Sequence, residues 1–377
     1  MLEVIVLTIL FKENNRLINR IVKELTLEEI NILLNVDAVG INFKHNILSN
    51  KALQTLLDKE NIIRAYEKAN EIIRLSEENN IKIILSSDKE YPKRLFSFDD
   101  YPPVIYAKGN IGLLKVDTKI VSVIGSREIS EYAKVSTKVI TKALVDNNFT
   151  IVSGLAKGTD SIAHKICVEN NGKTIAVVAN GLGKIYPKDN EKLVKDILDN
   201  EGVIISEYSF NEEPLKYRFV KRNRIVSSIS EAVIVIEAKT KSGTMRTVEY
   251  AIRQNKKIAY VYSNNDEIIN TEAINIINNY KDSMALNNVY DCYKLIDTLG
   301  YISNNREYQI RDSIINIFNN ASINNLMISE KIKNSIVSEF STESKLYNEL
   351  YRVLTKKGID IRDFIDTIAY LVVKDNS

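Results

Sequence analysis

Six short apolar runs, rich in β-branched residues, recur through the middle of the chain. All six lie between residues 119 and 263, and they are KIVSVIGS, FTIVSGLA, KTIAVVAN, GVIISEYS, EAVIVIEA and KKIAYVYS. Polar stretches with helical patterning, such as SEYAKVSTKVITKALVDN, separate them. Fully apolar strands that alternate with helices are typical of a parallel sheet covered on both faces. The pattern therefore predicts an α/β fold with a doubly wound parallel sheet as its core.

The segments on either side of this core have helical patterning. Near the N-terminus, one helix face is predicted to carry Ile62, Ile63, Tyr66, Ala69, Ile72 and Ile73. Near the C-terminus, residues 341–358 place Leu346, Leu350 and Leu354 at helical spacing before Gly358. We therefore predict four parts, namely an N-terminal helical domain (1–80), the core (81–263, with a strand-containing first segment 81–118), an Asn-rich excursion and linker (264–305), and a small C-terminal helical domain (306–377).

Charge is balanced over the whole chain, with 51 Lys and Arg against 49 Asp and Glu among 377 residues. A net charge of +2 predicts no general affinity for nucleic acid, so anion binding must come from local patches. The two cysteines, Cys167 and Cys292, lie far apart, which fits reduced thiols in a cytosolic protein. No apolar run reaches the length of a membrane span. We expect a cytoplasmic protein that does not associate with membranes.

Four of the predicted strands end in small residues with basic neighbours. The segments are GSR (125–127), SGLAKGTD (153–160), NGLGKIYP (180–187) and EAKTKSGT (237–244). Small residues allow a ligand to approach the backbone, and the N-terminus of a following helix favours an anion. Ligands of such sheets bind beyond the carboxyl ends of the strands. Together with Arg127, Lys157 and Lys184, these ends predict a site for a phosphate-bearing ligand.

The stretch KYRFVKRNR, residues 216–224, concentrates positive charge between two predicted strands. Five of its nine residues are Lys or Arg and none is acidic. Solvated surface faces usually mix both signs, so we interpret this stretch as a basic loop that contacts an anion.

Several other polar residues near the strand ends are expected to have structural roles. Thr159 and Asp160 are predicted helix N-caps. His164 is predicted to lie on the following helix as a packing residue. Glu207 and Glu237 are expected to accept hydrogen bonds from nearby loops. Lys184 is also compatible with an ordinary solvated charge.

Sequence signatures of common catalytic sites are absent. The chain contains no GxxxxGK[ST] phosphate loop, no GxGxxG fingerprint and no GxSxG nucleophile elbow. The two histidines, His45 and His164, and the two cysteines do not have zinc-site spacing. We therefore expect a protein that binds an anionic ligand, is not an enzyme and needs neither cofactor nor metal.

Seven ordered blocks across residues 81–262 resemble the DNA-processing protein A (DprA, or Smf) family. They are DKEYPKRLFSFDDYPPVIYAKGN, VSVIGSR, IVSGLAKGTDSIAHK, TIAVVANGLGKIYP, VIISEY, FVKRNRIVSSISEAVIVIEA and SGTMRTVEYA. The resemblance implies an extended Rossmann-like core that binds single-stranded DNA, forms a homodimer and passes the strand to a RecA-type recombinase in natural transformation or related recombination. The DNA-contacting residues it implies are Gly125, Ser126, Arg127, Ser153, Gly154, Lys157, Phe219, Arg222, Asn223, Arg224 and Gly243. It also implies that Phe219 stacks on a base, a role to which Tyr208 and Tyr217 could contribute.

The chain departs from the family pattern at several positions. Val220 stands where the family usually has Pro, and the segment after the sixth apolar run lacks the usual Pro-Gly turn. A C-terminal winged helix is not evident in residues 306–377, nor is a helix-hairpin-helix motif at the N-terminus. These departures concern the edge of the predicted pocket and the flanking domains.

Three alternative functions remain open from the sequence. Related Rossmann-like proteins hydrolyse nucleoside monophosphates with a glutamate where this chain has Thr247, and the nearby Glu249 is displaced by two positions. The same strand ends could also serve a sensor of a small nucleotide-derived ligand. A third alternative is a divergent relative that keeps the fold but acts only through protein partners.

Overall fold

Six helices occupy residues 2–78 of the structure, a computed structural model that describes residues 1–263 and 271–304. They are Leu2–Phe11 (α1), Asn15–Glu24 (α2), Leu27–Asn35 (α3), Ala38–His45 (α4), Asn50–Leu57 (α5) and Lys59–Glu78 (α6). The α3 helix begins with a capping box in which Thr26 and Glu29 satisfy each other's backbone N–H. The predicted apolar face of α6 is confirmed at Ile62, Ala69 and Ile72, whereas Ile63 is 58% exposed. The N-terminal region is thus helical, as predicted.

Nine strands form one sheet. Their bounds are Lys82–Leu85 (β1), Val104–Gly109 (β2), Ile120–Ile124 (β3), Thr150–Ser153 (β4), Thr174–Val177 (β5), Val203–Ser206 (β6), Ala232–Val235 (β7), Lys257–Val261 (β8) and Ser283–Leu286 (β9). Their order in the sheet is β1-β2-β6-β5-β4-β3-β7-β8-β9. The pairs from β3 to β9 are parallel, whereas β2 is antiparallel to both β1 and β6.

The six apolar runs of the sequence correspond to β3–β8. Every residue of β3–β7 is buried, because helices cover both faces of the sheet. The helices of this part are Glu131–Asp146 (α7), Thr159–Glu169 (α8), Glu191–Asp199 (α9), Lys216–Ile229 (α10), Gly243–Arg253 (α11), Glu272–Asn278 (α12) and Val289–Thr298 (α13). The predicted doubly wound α/β core is confirmed. Within residues 1–263 and 271–304, no helix is both long and apolar enough to cross a membrane.

Two assignments made from the sequence need correction. The KYRFVKRNR stretch forms the first nine residues of α10 and is not a loop. Residues 271–298, assigned to an excursion and linker, instead form α12, β9 and α13, and β9 extends the sheet beside β8. Buried Ala273, Ile274 and Ile277 anchor α12, although their Asn-rich surroundings mask the apolar spacing. The predicted C-terminal helical domain, residues 306–377, lies outside the described residues.

The order in which successive strands are added to the sheet reverses at β3. The strand next in sequence, β4, pairs on one side of β3, and β7 pairs on the other side. In open α/β sheets such a switch point leaves a crevice beyond the carboxyl ends of the two neighbouring strands. The loops that follow β3, β4 and β7 therefore face one another around a single crevice.

Candidate functional site

A cleft of about 700 Å³ opens at this switch point. Eight of the eleven residues predicted to contact DNA line it: Gly125, Ser126, Arg127, Gly154, Phe219, Arg222, Asn223 and Gly243. They come from the loops after β3, β4 and β7 and from one side of α10. The fold thus gathers residues that are more than a hundred positions apart in the sequence into one site.

The loops that form the floor of the cleft are fixed to one another by hydrogen bonds. The backbone N–H and the hydroxyl of Thr159 both donate to the carbonyl of Ser126, at 3.2 and 3.3 Å. Thr244 Oγ1 donates to the carbonyl of Gly125 at 2.8 Å. Gly158 has a φ of +78°, and a Cβ there would overlap the carbonyl oxygens of Ser126 and Arg127. The three loops therefore form a preorganised floor.

Arg222 is the buried cation at the floor. Its guanidinium donates to the carbonyls of Gly154 and Val177, and its Nε donates to Asn223 Oδ1 at 3.1 Å. Gly154 leaves room for this contact, because a Cβ at that position would overlap the guanidinium. Burial lowers the pKa of Arg222 to about 10, and Asp160 partly offsets this shift. Arg222 is thus charged at neutral pH and contributes positive potential at the floor.

Asp160 holds the loop after β4 in place beneath the cleft. Its Oδ2 accepts hydrogen bonds from the backbone N–H groups of Gly154 at 3.1 Å and Ala156 at 3.3 Å. Burial raises the pKa of this carboxyl, while the charge of Arg222 opposes the rise. Asp160 therefore orders the site and balances part of the charge of Arg222.

The mouth of the cleft combines aromatic rings with cations. The guanidinium of Arg127 lies 5.6 Å from the ring centroid of Phe219, and the ring of Tyr186 lies 5.3 Å from the same ring. Lys216 and Lys239 also line the cleft. Lys239 pairs with Glu128 at 3.1 Å, whereas Arg127 and Lys216 have no carboxylate within ion-pair distance in the part of the chain that the structure describes. Two unpaired cations and a partly exposed Phe ring thus share one opening.

The N-terminus of α11 points into the same cleft. Ser242 caps this helix by accepting from the N–H of Met245 at 3.3 Å, and Asn223 Nδ2 donates to the carbonyl of Gly243 at 3.0 Å. Ser242, Gly243 and Thr244 all line the cleft. Helix N-termini carry a partial positive charge that attracts anions. The helix end therefore adds to the positive potential of the side chains.

Three predicted DNA-contacting residues do not line the cleft. Arg224 is 1% exposed and lies on another side of α10, where it pairs with Glu207 at 2.7 Å and Asp100 at 3.1 Å. Ser153 is buried, and its hydroxyl donates to the carbonyl of Val123 at 2.7 Å. Lys157 is exposed and pairs with Asp189 at 2.5 Å. Arg224 and Ser153 are therefore parts of the scaffold, because a ligand in the cleft cannot reach their polar groups.

The structural roles predicted for neighbouring residues are confirmed for His164 and Glu237 and need correction for Glu207, Thr159 and Asp160. His164 is fully buried with its Nδ1 2.7 Å from Thr174 Oγ1, and burial lowers its pKa to about 3, so it is neutral. Glu237 accepts from the backbone N–H of Ser130 at 3.0 Å, whereas Glu207 pairs with Arg224 instead of a loop. The position before α8 is occupied by Gly158, so Thr159 and Asp160 are its first two helical residues and not its N-caps.

Three further residues considered from the sequence, Lys184, Tyr208 and Tyr217, do not line the cleft. Lys184 forms a surface ion pair with Glu213. Tyr208 is buried, and Tyr217 lies outside the cleft with its hydroxyl 2.6 Å from Glu13 Oε1, so neither ring faces the opening beside Phe219.

The residues predicted individually to contact DNA do not include Tyr186, Lys216 and Lys239, which also line the cleft. A helical interpretation of the basic stretch would have found Lys216, because it lies three positions before Phe219 and seven before Asn223. Tyr186 and Lys239 belong to the strand-end segments NGLGKIYP and EAKTKSGT. Only the tertiary structure shows that these two side chains line the cleft.

The cleft lacks the carboxylate that glycosidic hydrolysis would need. Thr247 lines the cleft and donates to the carbonyl of Gly243 at 3.3 Å, whereas Glu249 pairs with Arg246 at 2.8 Å and does not line it. The lining carboxylates are Glu128, paired with Lys239, and Asp160, which is committed to backbone N–H groups. The arrangement fits the binding of an anion better than its hydrolysis.

The chain is similar to several known proteins. Protein Smf of Synechocystis is 33% identical over 254 residues, covering 67% of this chain and 61% of the relative. The structure of DNA processing protein A from Streptococcus pneumoniae superposes with a TM-score of 0.60 at 27% identity, covering 76% of this chain and 95% of that one. The structure of DNA processing protein A from Helicobacter pylori, described with its single-stranded DNA binding mode, superposes with a TM-score of 0.51 at 29% identity. This match covers 58% of this chain and 95% of that one.

The family match covers most of the core. The chain matches the family described as DNA recombination-mediator protein A over residues 82–295, which includes every residue lining the cleft. The chain spans about 60% of the length of the curated relatives it matches first. Since the family match covers more than half of the chain, the protein belongs to the DNA recombination-mediator protein A family.

Proposed function

We propose that this protein binds single-stranded DNA in the cleft at the switch point of the sheet. The observation that carries the proposal is the mouth of the cleft, where unpaired Arg127 and Lys216 flank the partly exposed ring of Phe219. The cations would contact phosphates, and the ring would stack on a base. The description of the H. pylori relative as a single-stranded DNA binder supports the same assignment.

Single strands suit this combination of groups better than duplexes do. Stacking and backbone charge tolerate any sequence, because every base has a π-face and every nucleotide a phosphate. In a duplex the base faces are already stacked, so Phe219 would have no partner. Each base stacked on an aromatic side chain contributes about 1–3 kcal/mol in such proteins.

Family membership supports a wider role. We propose that the chain acts in DNA processing during natural transformation or related recombination, protects single strands as a homodimer and loads a RecA-type recombinase on them. In this proposal the protein is not an enzyme. Addition of the protein to a purified RecA-type recombinase should speed filament formation on single strands coated with single-strand-binding protein. An unchanged rate would contradict the loading role.

Fluorescence anisotropy of a labelled oligothymidine tests the DNA-binding proposal. We expect tighter binding of the single strand than of a duplex of equal length or of thymidine monophosphate. The logarithm of the association constant should fall with the logarithm of salt concentration by about 0.7 for each phosphate neutralised. Equal affinity for the oligomer and the mononucleotide would contradict the proposal.

One observation favours a second candidate function, the sensing of a small nucleotide-derived ligand. The volume of about 700 Å³ lies within the range of small-molecule pockets, roughly 300–1,000 Å³. The mononucleotide arm of the titration separates the two candidates. A sensor would bind the mononucleotide as tightly as the oligomer, with a shallow salt dependence.

A further inference from the structure

Tyr186 has the features of a second ligand-contacting residue. It follows β5, and its side chain is 47% exposed at the wall of the cleft. Its ring lies 5.3 Å from that of Phe219 with an angle of 53° between the ring planes. A large ring that remains nearly half exposed contributes little to the core, so stability alone does not account for its position. Two rings at an angle offer separate faces to two bases.

An exposed ion pair lies just beyond Tyr186. Lys157 Nζ is 2.5 Å from Asp189 Oδ2, and the two side chains are 61% and 69% exposed. The hydrogen bond and the charge of Asp189 raise the pKa of Lys157, and the nearby phenol of Tyr186 raises it further. Lys157 also directly precedes Gly158, which packs against the carbonyls of Ser126 and Arg127 at the floor of the cleft. The ion pair therefore joins Lys157 to the segment that carries Tyr186, three positions before Asp189.

The Lys157–Asp189 pair is easily exchanged. Ion pairs between exposed side chains typically contribute little to stability, because water and salt screen them. A phosphate that approaches Lys157 can replace the carboxylate of Asp189 without disrupting the fold.

We propose that Tyr186 is a second base-stacking residue and that a bound strand leaves the cleft over Tyr186 towards Lys157, where a phosphate displaces Asp189. The inference rests on the proposed binding of single-stranded DNA and extends it. The site then holds at least two consecutive nucleotides, one on Phe219 and the next on Tyr186. It also gives Lys157, which does not line the cleft, a role at the exit of the strand.

Replacement of Tyr186 tests the stacking part. Tyr186→Ala should weaken oligothymidine binding roughly 5- to 150-fold, whereas Tyr186→Phe, which keeps the ring, should bind like the wild type. The Ala variant should lose affinity for longer oligomers but not for thymidine monophosphate, because one nucleotide occupies only the Phe219 position. Thermal melting checks that both variants fold. Wild-type affinity of Tyr186→Ala for every length would overturn the inference.

Replacement of Asp189 tests the exchange. Asp189→Asn leaves Lys157 without its competitor, so oligothymidine should bind more tightly at low salt and the salt slope should steepen by up to about 0.7. Lys157→Gln combined with Asp189→Asn should remove this gain. An Asp189→Asn slope equal to that of the wild type would overturn the exchange.

Phe219→Ala separates failure of the inference from failure of the proposed function. If Phe219→Ala weakens binding and Tyr186→Ala does not, the strand binds but does not pass over Tyr186, and the inference is wrong. If the wild type binds oligothymidine no more tightly than thymidine monophosphate, the proposed function is wrong, and the inference that rests on it is wrong as well.

Discussion

The two sides of α10 carry similar residues in opposite electrostatic surroundings. The side that faces the cleft carries Lys216, Phe219 and Arg222, and no described carboxylate pairs with Lys216. On the remaining sides, Arg218 pairs with Glu212 at 2.8 Å and Lys221 pairs with Glu13 at 3.2 Å. The local sequence gives no hint of this division, because the basic residues follow one another almost without interruption.

The comparison shows that a cluster of charge in sequence is not a cluster in space. The helical turn of about 100° per residue distributes the charges around the axis. The buried and paired cations attach the N-terminal helices and the strand-end loops to the core, whereas the unpaired cations remain available to a ligand. Pairing with carboxylates, more than the number of basic residues, separates the binding side from the structural sides.

The largest expected effect is on the structural side, at Arg224. Arg224→Ala removes the buried partner of Glu207 and leaves its carboxylate uncompensated, so the free energy of unfolding should fall by about 3–5 kcal/mol. Lys221→Ala removes a more exposed pair and should cost less than about 1 kcal/mol. Urea denaturation measures both. If Arg224→Ala kept wild-type stability and lost DNA binding, the division between the two sides would be wrong.

The next effect is on the binding side, at Phe219. Phe219→Ala should weaken oligothymidine binding by about 1–3 kcal/mol through loss of one stacked base, with little change in melting temperature. Tyr217→Ala is the matched control, since its ring lies two positions away on another side of α10. Anisotropy titrations of both variants give the comparison. Equal losses for the two would show that the sides are not distinct.

A smaller effect is expected in the salt dependence. Arg127→Gln and Lys216→Gln should each reduce the slope of log association constant against log salt by about 0.7, because each removes one phosphate contact. Lys221→Gln should leave the slope unchanged, because Glu13 already neutralises this lysine. A reduced slope for Lys221→Gln would mean that the strand also crosses the structural side.

The smallest effect concerns Glu13 and pH. Partial burial raises its pKa, but hydrogen bonds from Tyr217 and Lys221 outweigh burial and hold the pKa below the ordinary value of 4.5. A carboxyl with a lowered pKa in the folded state stabilises the protein above pH 4.5, and the stabilisation is lost as pH falls through the folded-state pKa.

At about pH 7, Glu13→Gln should therefore lower the free energy of unfolding by less than about 1 kcal/mol, which is measured as a slightly lower melting temperature. The difference from the wild type should shrink as pH falls below the ordinary pKa of the group. A difference that stays constant across this range would show that the charge of Glu13 plays no part.

The sequence predicts the sheet and the position of the cleft for clear physical reasons. Strands buried on both faces must be apolar throughout, so β3–β8 stand out from their surroundings. Parallel strands bring their carboxyl ends to one edge, so Gly125, Gly154 and Gly243 are expected to lie near one another. These two rules account for most of the core and for the five predicted cleft residues at strand ends. The other three, Phe219, Arg222 and Asn223, lie on α10 and are expected in the site only from the family resemblance.

The parts that the sequence does not predict lack such local signals. The α10 helix begins after Leu215 without a side-chain cap, and its first residues form no apolar stripe, so its helical period is hidden. Without that period, Arg224 cannot be separated from Arg222. The partners that bury it, Asp100 and Glu207, come from distant segments that only the tertiary structure brings close.

Photo-crosslinking tests most directly whether the strand binds the cleft side of α10. An oligothymidine that carries 5-iododeoxyuridine is bound, irradiated and digested with trypsin. Cleavage after Lys216, Arg218 and Lys221 places Tyr217 and Phe219 in different peptides, which mass spectrometry distinguishes. The account predicts adducts on the peptide with Phe219. Adducts on the peptide with Tyr217, and none on that with Phe219, would contradict it.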